Sequence, residues 1–277
     1  MWSKRLVQQK RDGVGRTPKT ARLSVVFTWD LPKAYSRAVW LHQEGFHVIA
    51  GGPAVTLMKD YLSDVAEIAT DWPEALQHHN PQATFTSRGC IRNCPFCAVP
   101  RIEGQLRELD DWPVKPIVCD NNLLACSRRH FDTVIDKLKP LPGVDFNQGL
   151  DARLLTQYHA DRLAELDCMT RLAFDHVNDE ETLQAAYEKL RRAKIPKKRI
   201  RVYVLIGYHD TPEDALYRLQ VVAKLGIDPN PMRYNPLDTM RRDSYVGPGW
   251  TDRELARYVR YWANLRWFRA VPFENFR

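Results

Sequence analysis

The sequence predicts an α/β protein made of repeated strand-then-helix units, with a smaller α/β unit ahead of them. Three observations carry this. From residue 81 onward, short apolar runs alternate with amphipathic stretches through six strands. The polar clusters DNN, NQGLDAR, FDH, GYHD and RYN fall just after those runs, where parallel strands end and working groups gather. Before residue 81 there is one β-α-β pattern, on too little chain for a complete doubly wound domain of roughly 100 residues or more.

In chain order, LSVVF from Leu23 reads as a buried strand and Pro32 suits the first turn of a helix. Val39, Leu41 and Phe46 then lead into a second strand, HVIAGG. GGPAV is expected to pack against the larger unit. ATFTS leads into a cysteine-rich run, and PIVCDNN is an apolar strand followed by the helix FDTVIDKLKPL. VDFNQGL precedes LLTQYHADRLAEL, TRLAFDH precedes ETLQAAYEKLRRA, and RIRVYVLIGY precedes TPEDALYRLQVVAKLG. DPNPMRYNPL supplies the sixth strand. Thr211, Pro212 and Glu213 form a helix start, with proline at the first position and acid near the positive end of the dipole. Near the C-terminus, Leu255, Val259, Trp262 and Leu265 stand at helical spacing with Arg257, Arg260 and Arg266 between them. That pattern suits an amphipathic helix closing the larger unit, or a stacking surface for single-stranded nucleic acid. The expected boundaries are 1–80 for the accessory unit, 81–240 for the larger unit and 241–277 for the extension.

Composition narrows the class. With 277 residues, 44% hydrophobic and 27% charged, the chain is globular, and no apolar run reaches the length of a membrane span. The first residues carry charge without the apolar stretch of a secretory signal, so a cytoplasmic protein with no membrane partner is expected. Six cysteines in such a chain point to metal binding ahead of disulfides. The net charge of +7 is uneven: residues 1–22 hold seven basic residues against Asp12 alone. A second basic stretch runs from Lys189 to Arg201. Both are solvated faces or contacts for nucleic acid and acidic partners.

Cys90, Cys94 and Cys97, in SRGCIRNCPFCAVP, are the densest chemical signal. Soft thiolates at this spacing suit an iron–sulfur cluster or zinc. Structural zinc takes four protein ligands, and no second C-x2-4-C or H-x3-5-H pair follows. Arg88 and Arg92 are placed to offset thiolate charge. Cys119, Cys126 and Cys168 are scattered, as isolated buried thiols are.

This C-x3-C-x2-C run, with Phe96 just before its last cysteine, resembles the signature of the radical S-adenosylmethionine family. The resemblance spans roughly residues 83–240 and implies a partial (β/α)6 TIM-like barrel with a small N-terminal α/β unit. It implies a [4Fe–4S] cluster on Cys90, Cys94 and Cys97, whose open iron binds S-adenosylmethionine. Reductive cleavage to a 5′-deoxyadenosyl radical, with an electron from flavodoxin or ferredoxin, then abstracts hydrogen from an unidentified substrate. Phe96, Asp120, Asn122, Gln148, Asp151, Arg153 and Gly207 are the expected cofactor contacts. For Asp120-Asn121-Asn122 an Asx turn explains the residues equally well. AVPRIEG resembles the corresponding stretch of radical methylthiotransferases, which gives a second reading as modification of RNA or protein. A third is a non-catalytic, metal-stabilised nucleic-acid-binding module. The first 80 residues resemble a truncated cobalamin-binding domain, but Trp40 stands where an aspartate would orient His42, so no cobalamin is expected.

Overall fold

The computed structural model describes residues 6–11, 19–69, 72–263 and 270–276. Lys4, Arg5, Asp12 and Arg16 of the basic arm, and Leu265 and Arg266 of the C-terminal pattern, lie outside the described residues. The chain forms two compact units: residues 1–83 with 236–242, and residues 84–235 with 243–277.

In the first unit, β1 (Leu6–Arg11), β2 (Thr20–Val25), α1 (Leu31–Gln43), β3 (His47–Gly51), α2 (Pro53–Leu57), β4 (Glu67–Ile68) and α3 (Ala75–His79) follow in order. The sheet order is β1-β2-β3-β4, with β1 antiparallel to β2 and the other pairs parallel. Leu31, Ala34, Ala38 and Leu41 recur at helical spacing and bury the inner stripe of α1 against Leu23, Val25, Val48 and Ala50. Two expectations change here. Part of the basic arm is the strand β1, where Lys10 lies 4.6 Å over the Trp40 ring and 4.7 Å over Phe46. Ala54 and Val55 of GGPAV enter this unit's own core. The exposed His42 holds the Val65 carbonyl at 2.6 Å through Nε2.

β5 (Ala83–Thr84) begins at the boundary and leads into the second unit, with β6 (Ser87–Arg88), α4 (Val99–Ile102), β7 (Arg107–Glu108), β8 (Ile117–Val118), α5 (Arg128–Leu138), β9 (Val144–Phe146) and α6 (Gln157–Leu163). It continues with β10 (Cys168–Ala173), α7 (Glu180–Arg192), β11 (Ile200–Ile206), α8 (Pro212–Lys224), β12 (Pro229–Arg233) and α9 (Asp252–Trp262). Six strands form a parallel sheet in the order β12-β11-β10-β9-β8-β5, so spatial order follows chain order. The architecture is therefore α/β, as the alternation of units predicts. Side-chain caps start the helices: Ser127 for α5, and Thr-based capping boxes for α6, α8 and α9.

Burial alternates strictly along the central strands. Cys168, Thr170 and Leu172 of β10 and Ile200, Val202, Val204 and Ile206 of β11 are buried, and their apolar members share a core with α7 and α8. The residues between them face the other side of the sheet, which is more accessible. Asp145 and Arg171 pair on that face at 2.5 and 2.7 Å, and Tyr203 donates to the Asn147 carbonyl at 3.0 Å. Among the described residues no helix is long and apolar enough to cross a membrane.

Candidate functional site

The cysteine loop leaves the sheet at the C-terminal end of β5, through the short β6–β7 pair. Its entry is a forced turn. Gly89 has φ +74°, and a Cβ there would lie 2.1 Å from the Gln105 carbonyl oxygen, so only glycine fits. Glu103 holds the turn from the far side of the loop. Its Oε2 accepts from Gly89 N and from Asn121 Nδ2, both at 2.8 Å, and its Oε1 pairs with Arg88 at 2.9 Å. Cys90 N donates to the Gly104 carbonyl at 3.2 Å, which closes the loop on itself.

Cys90, Cys94 and Cys97 are free thiols, each half-buried. Cys90 Sγ accepts from Arg92 N at 3.3 Å and from Asn122 Nδ2 at 3.6 Å. Burial raises the pKa of Cys94, against the opposing charge of Arg153 and with Cys90, Asp175 and Asp151 adding to the rise. Burial also raises Cys97, against a backbone N–H from Val99 and with the other two cysteines adding to the rise. Negative charge at Cys94 and Cys97 is thus unfavourable, chiefly through burial, until a cation shares it. Among the described residues, no three His, Cys, Asp or Glu side chains form a ligand set for a single metal ion.

Asn122 and Asp151 meet beside Cys90. Asn122, 2% exposed, donates from Nδ2 to Asp151 Oδ2 at 3.3 Å as well as to Cys90, while its buried Oδ1 has no partner among the described residues. Asp151 takes Arg92 Nε on Oδ2 at 3.0 Å and Arg153 Nε on Oδ1 at 2.8 Å. Burial works to raise the Asp151 pKa, but hydrogen bonds and charge from Arg153 and Arg92 outweigh it and hold the carboxyl below the ordinary aspartate range. Arg153 remains exposed beyond that pair, and Gln148 is exposed on the same strand-end loop.

Asp120 and Gly207 have local partners instead. Asp120 takes Thr86 N at 2.6 Å, Ser87 Oγ at 2.9 Å and the Thr86 hydroxyl, so it fixes the strand end that launches the cysteine loop. Gly207, φ +80°, donates to Asp210 Oδ1 at 2.9 Å, and a Cβ there would lie 2.9 Å from Leu255 of α9. Phe96 lies edge-on to Tyr208 at 5.4 Å. Tyr208 contacts Tyr234 at 4.7 Å, and Tyr234 contacts Tyr245 at 5.2 Å, so a line of rings runs from the cysteine loop past β11 and β12.

The sequence gives no role to Glu103 or Arg218 and shows Asp175 only as part of the polar cluster FDH. Glu103 carries no signal beyond standing next to Gly104. Asp175 follows β10, accepts from Leu205 N at 3.2 Å and is raised by burial. Arg218, fully buried in α8, donates to the Phe174 and Leu205 carbonyls at 3.1 and 2.7 Å and pairs with Asp210, so it locks the ends of β10 and β11. By contrast, Cys119 and Cys126, pushed up to about 11, and Cys168, pushed up to about 12, are thiols that burial keeps protonated. No family model matches the chain, and no curated protein matches it.

Proposed function

We propose that the chain is a radical S-adenosylmethionine enzyme, with Cys90, Cys94 and Cys97 holding a [4Fe–4S] cluster. The observation that carries this is the polar group left open beside the thiols. Among the described residues the buried Asn122 oxygen is an acceptor without a donor, and such atoms are costly in folded chains. An ammonium or hydroxyl of a bound cofactor would satisfy it. When bound, the cluster supplies the electron that cleaves S-adenosylmethionine and so initiates hydrogen abstraction.

Three thiolates on one loop suit a cluster that takes one thiolate per iron and leaves a further iron open. Arg92 N and Asn122 Nδ2 donate to Cys90 and stabilise charge on its sulfur. Asp151 orients Arg92, Arg153 and Asn122 together. Asp120 and Glu103 are positioning residues that fix the two ends of the loop. We read the second unit as a partial (β/α)6 TIM-like barrel; strand order equal to chain order supports this, since right-handed crossovers would then put every helix on one face.

The test is anaerobic reconstitution with iron and sulfide. We expect about four irons per chain, a number set by the cluster type. Cys90→Ala, Cys94→Ala and Cys97→Ala combined should abolish loading, and the loaded chain with S-adenosylmethionine and reductant should release 5′-deoxyadenosine. Stoichiometric zinc, with iron content unchanged in the triple variant, would reject the proposal and favour a metal-stabilised binding module.

A further inference from the structure

The first unit carries an open groove of about 450 Å³ between the edge strand β1 and the helix α1, within the size range of sites for small organic ligands. Two periodicities build it. Leu6 and Gln8 alternate onto one face of β1, and Leu23 of β2 stands beside Gln8 in the antiparallel register. Lys33, Arg37 and Trp40 follow at i, i+4 and i+7 on α1, so they line one flank of the helix. Leu6, Leu23 and Trp40 make the groove apolar, and none of its lining residues is a carboxylate.

Its hydrogen-bond donors are held in place. Arg37 lies 4.1 Å over the Trp40 ring, and its Nε donates to Gln8 Oε1 at 2.5 Å. Lys10 lies over the same ring at 4.6 Å. The Arg37 guanidinium is therefore fixed in orientation, while among the described residues its two terminal nitrogens and the Gln8 amide nitrogen have no acceptor. Lys33 is exposed one turn earlier on α1, and among the described residues no carboxylate pairs with it. The Ser36 hydroxyl, also at the groove, donates to the Pro32 carbonyl at 3.2 Å.

We propose that this groove binds a carboxylate carried on an apolar, ring-sized body. The Arg37 fork takes both carboxylate oxygens, Lys33 adds charge from the rim, and Leu6, Leu23 and Trp40 hold the body. A phosphate is the poorer fit. Phosphate sites draw on the free amides of a helix start, whereas here Pro32 removes one of those amides and Asp30 at the cap brings a negative charge. The site is independent of the cluster chemistry, because all its residues belong to the first unit.

Isothermal titration calorimetry on the whole chain tests this, with 2-naphthoate, the uncharged 2-naphthamide, acetate and 2-naphthyl phosphate as probes. 2-Naphthoate should bind at a single site. The amide, which lacks the charge, and acetate, which lacks the body, should bind at least about tenfold more weakly, and 2-naphthyl phosphate should also bind more weakly. Arg37→Met keeps the apolar stem and removes the fork, and Ser36→Trp fills the groove from an exposed position on α1. Both should retain the native circular dichroism and weaken 2-naphthoate binding at least about tenfold. Unchanged affinity in Ser36→Trp would overturn the site, whether or not Arg37→Met folds. Equal affinity for 2-naphthoate and 2-naphthamide would overturn the carboxylate assignment, and tighter binding of 2-naphthyl phosphate would overturn it in favour of a phosphate site.

Discussion

Asp151 carries two cations and one amide, and its chemistry gives a signed prediction. Its pKa is held low in the fold, so its stabilisation is complete above the unfolded value of about 4 and is lost as pH falls through the lower folded value. In urea unfolding, Asp151→Asn should cost about 1.5–3 kcal/mol at pH 6, the range for hydrogen bonds to a charged group, and less at pH 3. A gap that stayed constant between those pH values would remove the carboxylate from this role. At Gly89 the obstacle is steric and on backbone. Gly89→Ala should cost at least about 2 kcal/mol by forcing a left-handed residue into a carbonyl, and iron uptake should fall with it. The cysteines were legible because their spacing is local. Asn122 and Asp120 were legible only as polar residues after a strand, because which way each points depends on Cys90 in one case and on Thr86 and Ser87 in the other, far along the chain.

The longer strands β10, β11 and β12 could be read from their apolar runs, and α5, α6, α8 and α9 from their periodicity and their own caps. The strand β1 and the β6–β7 pair could not, since two of these three have only two residues and all derive their identity from a partner strand. The helix α8 shows the same limit. Its amphipathic pattern predicts a helix, yet nothing local distinguishes the buried Arg218 from an exposed arginine. Removing one partner of a buried ion pair typically costs about 3–5 kcal/mol. Arg218→Met should therefore destabilise the chain by that order in urea unfolding, and Arg218→Met with Asp210→Leu should recover part of it. Equal losses in the single and double variants would show that the carbonyl contacts, not the pair, dominate. At α9, Arg257 donates to the Phe276 and Phe273 carbonyls at 2.6 and 2.5 Å, which favours the closing-helix reading over a nucleic-acid surface.

Across the whole molecule, a parallel sheet gives its two ends different tasks. The basic stretch from Lys189 to Arg201 covers the end of α7 and the start of β11, hence the opposite end of the sheet from the cysteine loop. Replacing Lys194, Lys197 and Lys198 with glutamine should therefore leave iron loading unchanged, while any salt-sensitive oligonucleotide binding through this stretch would weaken. Reduced iron loading would mean that this surface communicates with the loop.

Segment 236–242 groups with the first unit although it follows β12 of the second. Met240 packs on that unit's core, and Thr28 Oγ1 donates to the Thr239 carbonyl at 2.6 Å. Synthesis on the ribosome is vectorial, with chain emerging at about 5–20 residues per second. The unit that begins first is therefore completed almost last, after its β1–β4 sheet has waited for some 150 residues of intervening chain. Nascent chains arrested with residue 235 outside the exit tunnel should remain protease-sensitive in the first unit, and those arrested beyond residue 242 should be protected.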